Sequence, residues 1–319
     1  MFETQNYVVA DGVNYEYVYT KANDDSKATL LFLHGFPSSF YCWRHQIKFF
    51  SEQGYGCLAP NLMGYGRTYS PLDADVYRTK SMVEHLIALL DHLKLNKVFV
   101  IGHDWGVRPA TRFVLYYPER TLGLILFNVG YRPPALLDYE KMLQMTKHIF
   151  GYELLGYWQF FVADDAAKMI EDNPDRFLEL SFSSDPTLFK TDLAPLGKAR
   201  EWMTNTEKST TRANFLTEED YQIMRGVITE KMQPKLNWYR SAMSNVDWTD
   251  EKDLDPNLKC PLLYVAGLKD YVCVPQLFLD QKNYTEDFES AEVDTSHWTM
   301  EEQPDQVNQI IKTWIEKKA

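Results

Sequence analysis

The sequence predicts an α/β fold: one mostly parallel central sheet flanked by helices, interrupted late by a helical insertion that lies over a pocket. Three observations carry that expectation. Short runs of Val, Ile, Leu and Phe alternate with longer amphipathic stretches, the pattern of βα units feeding a parallel sheet. From about Tyr131 to Asp247 the alternation stops, and the chain turns helical, Met-rich and aromatic. At Cys260-Pro261 the strand pattern restarts.

Taken in order, Asn6–Val9 and Tyr15–Tyr19 alternate about Asp11-Gly12 and read as an antiparallel hairpin at the sheet's edge. Strands are then expected at Thr29–Leu33, Gly56–Ala59, Lys97–Ile101, Leu122–Phe127, Leu262–Ala266 and Asp287–Val293. Between them, Lys80–Leu93 lines up Met82, Val83, Leu86, Leu89, Leu90 and Leu93 on one helical face, and Gln306–Ile315 repeats the spacing. The expected organisation is a core built from residues 1–130 and 247–319, carrying a cap at 131–246. With no repeat, low-complexity tract or long Gly/Ser linker, this is one core with a cap rather than two separate domains.

The composition agrees. Of 319 residues, 45% are hydrophobic and 24% charged, which suits a soluble globular chain and excludes disordered and fibrous classes. A net charge of −12 repels phosphate backbones and anionic lipid, so neither nucleic acid nor a membrane surface is expected as a partner. The longest apolar runs fall far short of the roughly 18 residues that a spanning helix needs. The opening MFETQNYVVADGV shows no secretory pattern, and a cytoplasmic location is the default. The four cysteines, Cys42, Cys57, Cys260 and Cys273, form no C-x-x-C pair and read as reduced core thiols. The sequon at Asn283 needs a secretory route that this sequence does not show.

The most informative stretch is Lys97 to Ala110, an apolar strand running into Gly102-His103-Asp104-Trp105-Gly106 and then a helix. It reads as a nucleophile elbow with aspartate where serine usually stands. Glycines flank the central residue because the strained strand-to-helix turn leaves no room for side chains. Alternatively, Asp104 merely caps the following helix. A carboxylate nucleophile forms an ester with an sp³ carbon, and a base must then activate water to hydrolyse it. Of seven histidines, only His297 follows the last strand, within Asp294-Thr295-Ser296-His297-Trp298. Asp270, on the loop after Leu262–Ala266, is placed to orient it. The chain order Asp104, Asp270, His297 is nucleophile, acid, base, as in α/β-hydrolases. His34-Gly35-Phe36-Pro37 follows a strand at the position where that fold donates one oxyanion-hole amide, so Phe36 and Trp105 are the expected donors. Gly64-Tyr65-Gly66-Arg67-Thr68 lacks the Gly-Lys-Ser/Thr ending of a phosphate loop and reads as a turn.

Together these motifs resemble the soluble epoxide hydrolase family of α/β-hydrolases over nearly the whole chain. The resemblance implies two cap tyrosines that donate hydrogen bonds to the epoxide oxygen. Asn237-Trp238-Tyr239-Arg240 matches the motif of one, and Tyr157-Trp158-Gln159 is the best match for the other, with Tyr152 nearby as an alternative. It also implies attack by Asp104 and ester hydrolysis by His297-activated water to a vicinal diol, without metal or organic cofactor. Trp158 is then expected to contact a small, largely apolar epoxide.

The rival within the fold is a dehalogenase similar to those acting on fluoroacetate, which place an arginine four residues after the nucleophile, as Arg108 stands here. One turn beyond Asp104 on the same helical face, Arg108 could bind a substrate carboxylate or pair with an acid between layers. Phe36 offers no side-chain donor to a halide, and Gly-x-Ser-x-Gly is absent, which disfavours a serine esterase. A small-ligand-binding pseudo-hydrolase would usually lose part of the catalytic set. Monomer and homodimer both remain open.

Overall fold

In a computed structural model the chain is described at residues 2–24 and 26–318, so the expected outer bounds at Met1 and Ala319 lie outside the described residues. The strands are β1 (Gln5–Ala10), β2 (Val13–Thr20), β3 (Thr29–Leu33), β4 (Gly56–Pro60), β5 (Val98–His103), β6 (Thr121–Phe127), β7 (Leu262–Gly267) and β8 (Phe288–Val293). They form one eight-stranded sheet in the order β1-β2-β4-β3-β5-β6-β7-β8. The opening hairpin is antiparallel, as is β2 on β4, and every pairing from β4 to β8 is parallel.

The unbroken apolar runs of β3 and β5 are buried at every residue, as central parallel strands covered on both faces must be. Side chains alternate between two cores. Leu31, Leu33, Val98, Val100, Leu124 and Leu126 face one, while Leu30, Phe32, Phe99, Ile101, Ile125 and Phe127 face the other. Each fully buried side chain of this kind contributes roughly 1.5–3 kcal/mol. The helix Thr79–His92 covers the first face with Val107–Tyr116, and Pro304–Lys318 covers the second.

One strand differs usefully from expectation. β5 begins at Val98 and runs on to His103, because Gly102 and His103 pair with Leu126 and Phe127 of β6. The strand therefore ends directly against Asp104.

Between β6 and β7 the described chain adds helices and no strand to the sheet, among them Tyr139–Phe150, Trp158–Phe161, Glu218–Thr229 and Met232–Met243. Local chemistry sets their ends: the Asp138 side chain accepts from the Lys141 amide, Gly151 closes that helix at φ +84°, and Thr217 with Asp220 forms a reciprocal capping box. Polar ties hold these helices onto the sheet layer. Trp238 Nε1 donates to the Met63 carbonyl at 2.9 Å, Trp298 Nε1 to Ser181 at 2.8 Å, and Arg44 pairs with Asp220 at 3.0 Å.

All four cysteines are buried and free. Among the described residues no helix is long and apolar enough to cross a membrane.

Candidate active site

Asp104 sits in the turn between β5 and the helix Val107–Tyr116 with φ +50°, a left-handed conformation that strains a residue bearing a side chain. The turn needs its glycines. A Cβ on Gly102 would lie 2.8 Å from the Gly106 carbonyl oxygen, and one on Gly106 would lie 2.2 Å from that of Leu33. On Gly35 it would meet Asp104 itself at 2.4 Å, which explains the glycine after His34. That close approach lets the Phe36 amide donate to Asp104 Oδ1 at 2.8 Å.

His297 turns Nδ1 to Asp270 Oδ2 at 2.8 Å and Nε2 to Asp104 Oδ2 at 3.7 Å. A carboxylate only accepts, so Nδ1 donates its proton to Asp270, while Nε2 lies beyond hydrogen-bond reach of Asp104. Burial acts to lower His297, but Asp270, by charge and hydrogen bond, and Asp104, by charge, raise it above the ordinary histidine value. Burial acts to raise Asp270, yet the His297 charge and hydrogen bond, with the Cys273 and Val272 amides, hold it down at about 2. Burial pushes Asp104 up, against His297 and the Trp105 and Phe36 amides.

Two residues in this network were not singled out by the sequence. Asn128, directly after β6 and at φ +63°, donates from Nδ2 to Asp270 Oδ2 at 2.9 Å and to the Ser296 carbonyl at 3.1 Å. His103, inside the elbow motif, donates from Nε2 to the His297 carbonyl at 2.8 Å. Burial holds its ring well below the ordinary histidine value, so it stays neutral. His103 at least lies inside the elbow motif, whereas Asn128 lies in no motif.

Asp270, Cys273 and His297 place potential ligand atoms within 4.8 Å of one another. Both Asp270 oxygens are already taken, Oδ1 by the Val272 and Cys273 amides and Oδ2 by His297 and Asn128. Burial also pushes the Cys273 thiol well up, so the cluster is a hydrogen-bonded relay rather than an open ligand set.

The helices between β6 and β7, expected from the sequence as a cap, bring two phenols to a cavity that Asp104 also lines. In Asn237-Trp238-Tyr239-Arg240 the neighbours anchor the helix: Asn237 donates to the Leu72 carbonyl at 2.9 Å, Trp238 to Met63, and Arg240 to Ala163 at 2.9 Å. Tyr239 is left to line the cavity, its ring 4.8 Å from Trp105, 4.9 Å from Phe161 and 6.1 Å from Tyr157. Tyr157 lines the same cavity. Tyr152 does not: its hydroxyl donates to the Tyr271 carbonyl at 2.7 Å. Burial pushes both Tyr157 and Tyr239 well above the ordinary phenol value, keeping them neutral donors.

Two cavities meet at Asp104 and Tyr157. The smaller, about 30 Å³, is bordered by His297, Phe177 and Phe189, and the larger, about 290 Å³, by Trp105, Trp158, Met142 and Phe278. Arg108 borders the larger, but its guanidinium is engaged: Nε and Nη2 bond Asp247 Oδ2 at 2.9 and 2.5 Å, and Nη1 bonds Ser241 Oγ at 3.0 Å. Of the two roles open to Arg108, the geometry favours the pairing between layers, because its charge is already met by a carboxylate.

Comparison with known proteins finds relatives named as epoxide hydrolases. The chain is similar to bifunctional epoxide hydrolase 2 of Mus musculus, 28% identical over 301 residues covering 92% of this chain and 52% of that protein. It thus spans about half the length of that relative. It is also similar to epoxide hydrolase 4 of Homo sapiens, 26% identical over 324 residues covering 99% of this chain and 80% of the other. Among solved structures, epoxide hydrolase A from Mycobacterium thermoresistibile shares the fold with a TM-score of 0.84 at 24% identity, covering 99% of this chain and 98% of that one. The family described as alpha/beta hydrolase fold matches residues 28–304, and the chain belongs to that family.

Proposed function

We propose that this protein hydrolyses epoxides to vicinal diols through an ester on Asp104. The observation that carries the reading is a strained, amide-held carboxylate facing two neutral phenols, with a histidine nitrogen 3.7 Å away. Asp104 attacks a ring carbon, the carbon–oxygen bond of the ring breaks, and one of the Tyr157 and Tyr239 phenols gives its proton to the departing oxygen while the other donates a hydrogen bond to it. Water then gives a proton to His297 Nε2 and adds to the ester carbonyl, whose oxyanion the Phe36 and Trp105 amides receive. The acyl–oxygen bond breaks, Nε2 gives its proton to the leaving diol oxygen, and the proton left on the Asp104 carboxyl restores the phenol.

Asp270 holds the imidazole tautomer, while Asn128 and His103 position the acid and the base. Dehalogenation shares the first step, but its arginine is bound to Asp247 here. The cytosolic location expected from the sequence stays part of this proposal, in keeping with four buried, unpaired thiols. The test is diol formation from aryl, alkyl and carboxylate-bearing epoxides, with fluoroacetate as the halide-release control. Diol without halide is expected. Halide without diol would replace this reading with dehalogenation.

A further inference from the structure

The two cavities that meet at Asp104 are unequal, and they differ in which catalytic group they hold. His297 borders only the smaller, together with Phe177, Phe189 and Leu193; Trp105, Trp158, Met142 and Phe278 border only the larger. About 10–15 Å³ holds one water centre, so the smaller space, about 30 Å³, admits a water or two, or a methyl group. The larger, about 290 Å³, is of the size that binds an aryl ring or an alkyl chain.

Resting on the epoxide-hydrolase reading above, we infer that the substrates are epoxides with one bulky apolar substituent, which occupies the larger cavity while the smaller is kept for the hydrolytic water. Water must lie beside His297 Nε2 to lose its proton, and of the two cavities His297 borders only the smaller. There its oxygen bonds to the Asp104 acyl carbon, its proton goes to Nε2, and the bond from that carbon to the diol oxygen breaks as that oxygen takes the proton back from Nε2. A second bulky substituent on the far ring carbon has only the smaller cavity to enter. It would meet Phe177 and Phe189 and exclude the water, so both ester formation and its hydrolysis suffer.

The test compares styrene oxide, trans-β-methylstyrene oxide and trans-stilbene oxide on the wild-type chain, following diol release and the mass of the Asp104 peptide. The methyl compound is expected within about fivefold of styrene oxide in kcat/KM, and the stilbene at least about tenfold lower. Phe189→Ala, at a partly exposed position, is expected to raise the stilbene rate relative to styrene oxide, and Leu193→Ala serves the same purpose if the first variant does not fold. Stilbene oxide turned over as fast as styrene oxide by the wild type would overturn the inference and leave the epoxide-hydrolase reading standing. Diol from none of the three would overturn that reading itself.

Discussion

On the core side of the site, the functional atoms are tied by hydrogen bonds to strand ends and the turns after them. On the cap side, Tyr157 and Tyr239 are positioned by packing among Phe36, Trp105, Trp158 and Phe161. The core wall thus assigns one role to each residue, with the backbone enforcing its placement. On the proposed reading the cap wall shares one role between two phenols and sets the shape of the space. Losses on the core side should therefore be near-complete and specific to one step. Losses on the cap side should be partial, and they should change which substrates are accepted.

The largest expected effect is at Asp104. Asp104→Ala should lower kcat/KM for styrene oxide by at least about 10⁴-fold, and a residual rate close to wild type would break the comparison at its strongest point. His297→Gln should still form the ester but hydrolyse it about 10³-fold more slowly, seen as an Asp104 peptide heavier by one substrate. On the cap side, Tyr157→Phe or Tyr239→Phe alone should slow ester formation by about 100-fold in stopped-flow kinetics, and the double variant should lose far more, because each phenol partly covers for the other. If one of the two changed nothing, the shared role would belong to its partner alone.

Arg108 sharpens the contrast from the boundary between the two walls. Arg108→Leu leaves Asp247 without its cation and should lower stability by about 3 kcal/mol in urea unfolding, with KM for styrene oxide unchanged. A rise in KM confined to carboxylate-bearing epoxides would assign the arginine to substrate instead. The smallest effect concerns pH. Asp270 and Asp104 both raise His297, so in the free enzyme its ring should titrate above the ordinary value of about 6.5 by proton NMR. In the ester the Asp104 charge is gone, so the acid limb of ester hydrolysis should lie at lower pH than that titration. A folded-state value above the unfolded one adds stability that is present below about 6.5 and lost as pH rises through the folded value.

Much of the core side is legible in the chain because strands and turns announce themselves locally. The apolar run Thr29–Leu33 is a strand over its whole length, and the elbow glycines sit where a Cβ would strike backbone. Asp270 and His297 follow from their order after the last two strands. Asn128 was not legible: a single asparagine after a strand has no pattern, and its partners lie 142 and 168 residues away. The cap side was legible as motifs and composition but not as geometry. Whether Tyr152 or Tyr157 faces the cavity depends on the Tyr271 carbonyl, which captures Tyr152 across 119 residues. The inequality of the two cavities likewise arises from packing between helices that no local sequence window contains.

The central claim is that Asp104 becomes covalently bound to the substrate, and a single turnover in heavy-oxygen water tests it most directly. On the proposed mechanism, with enzyme in excess over styrene oxide, the oxygen added to the ring comes from the Asp104 carboxylate, and water oxygen replaces it there. The account predicts a diol without the heavy label and an Asp104 peptide that has gained it. A labelled diol with an unlabelled Asp104 peptide would mean that water attacks the ring directly, and it would contradict the account.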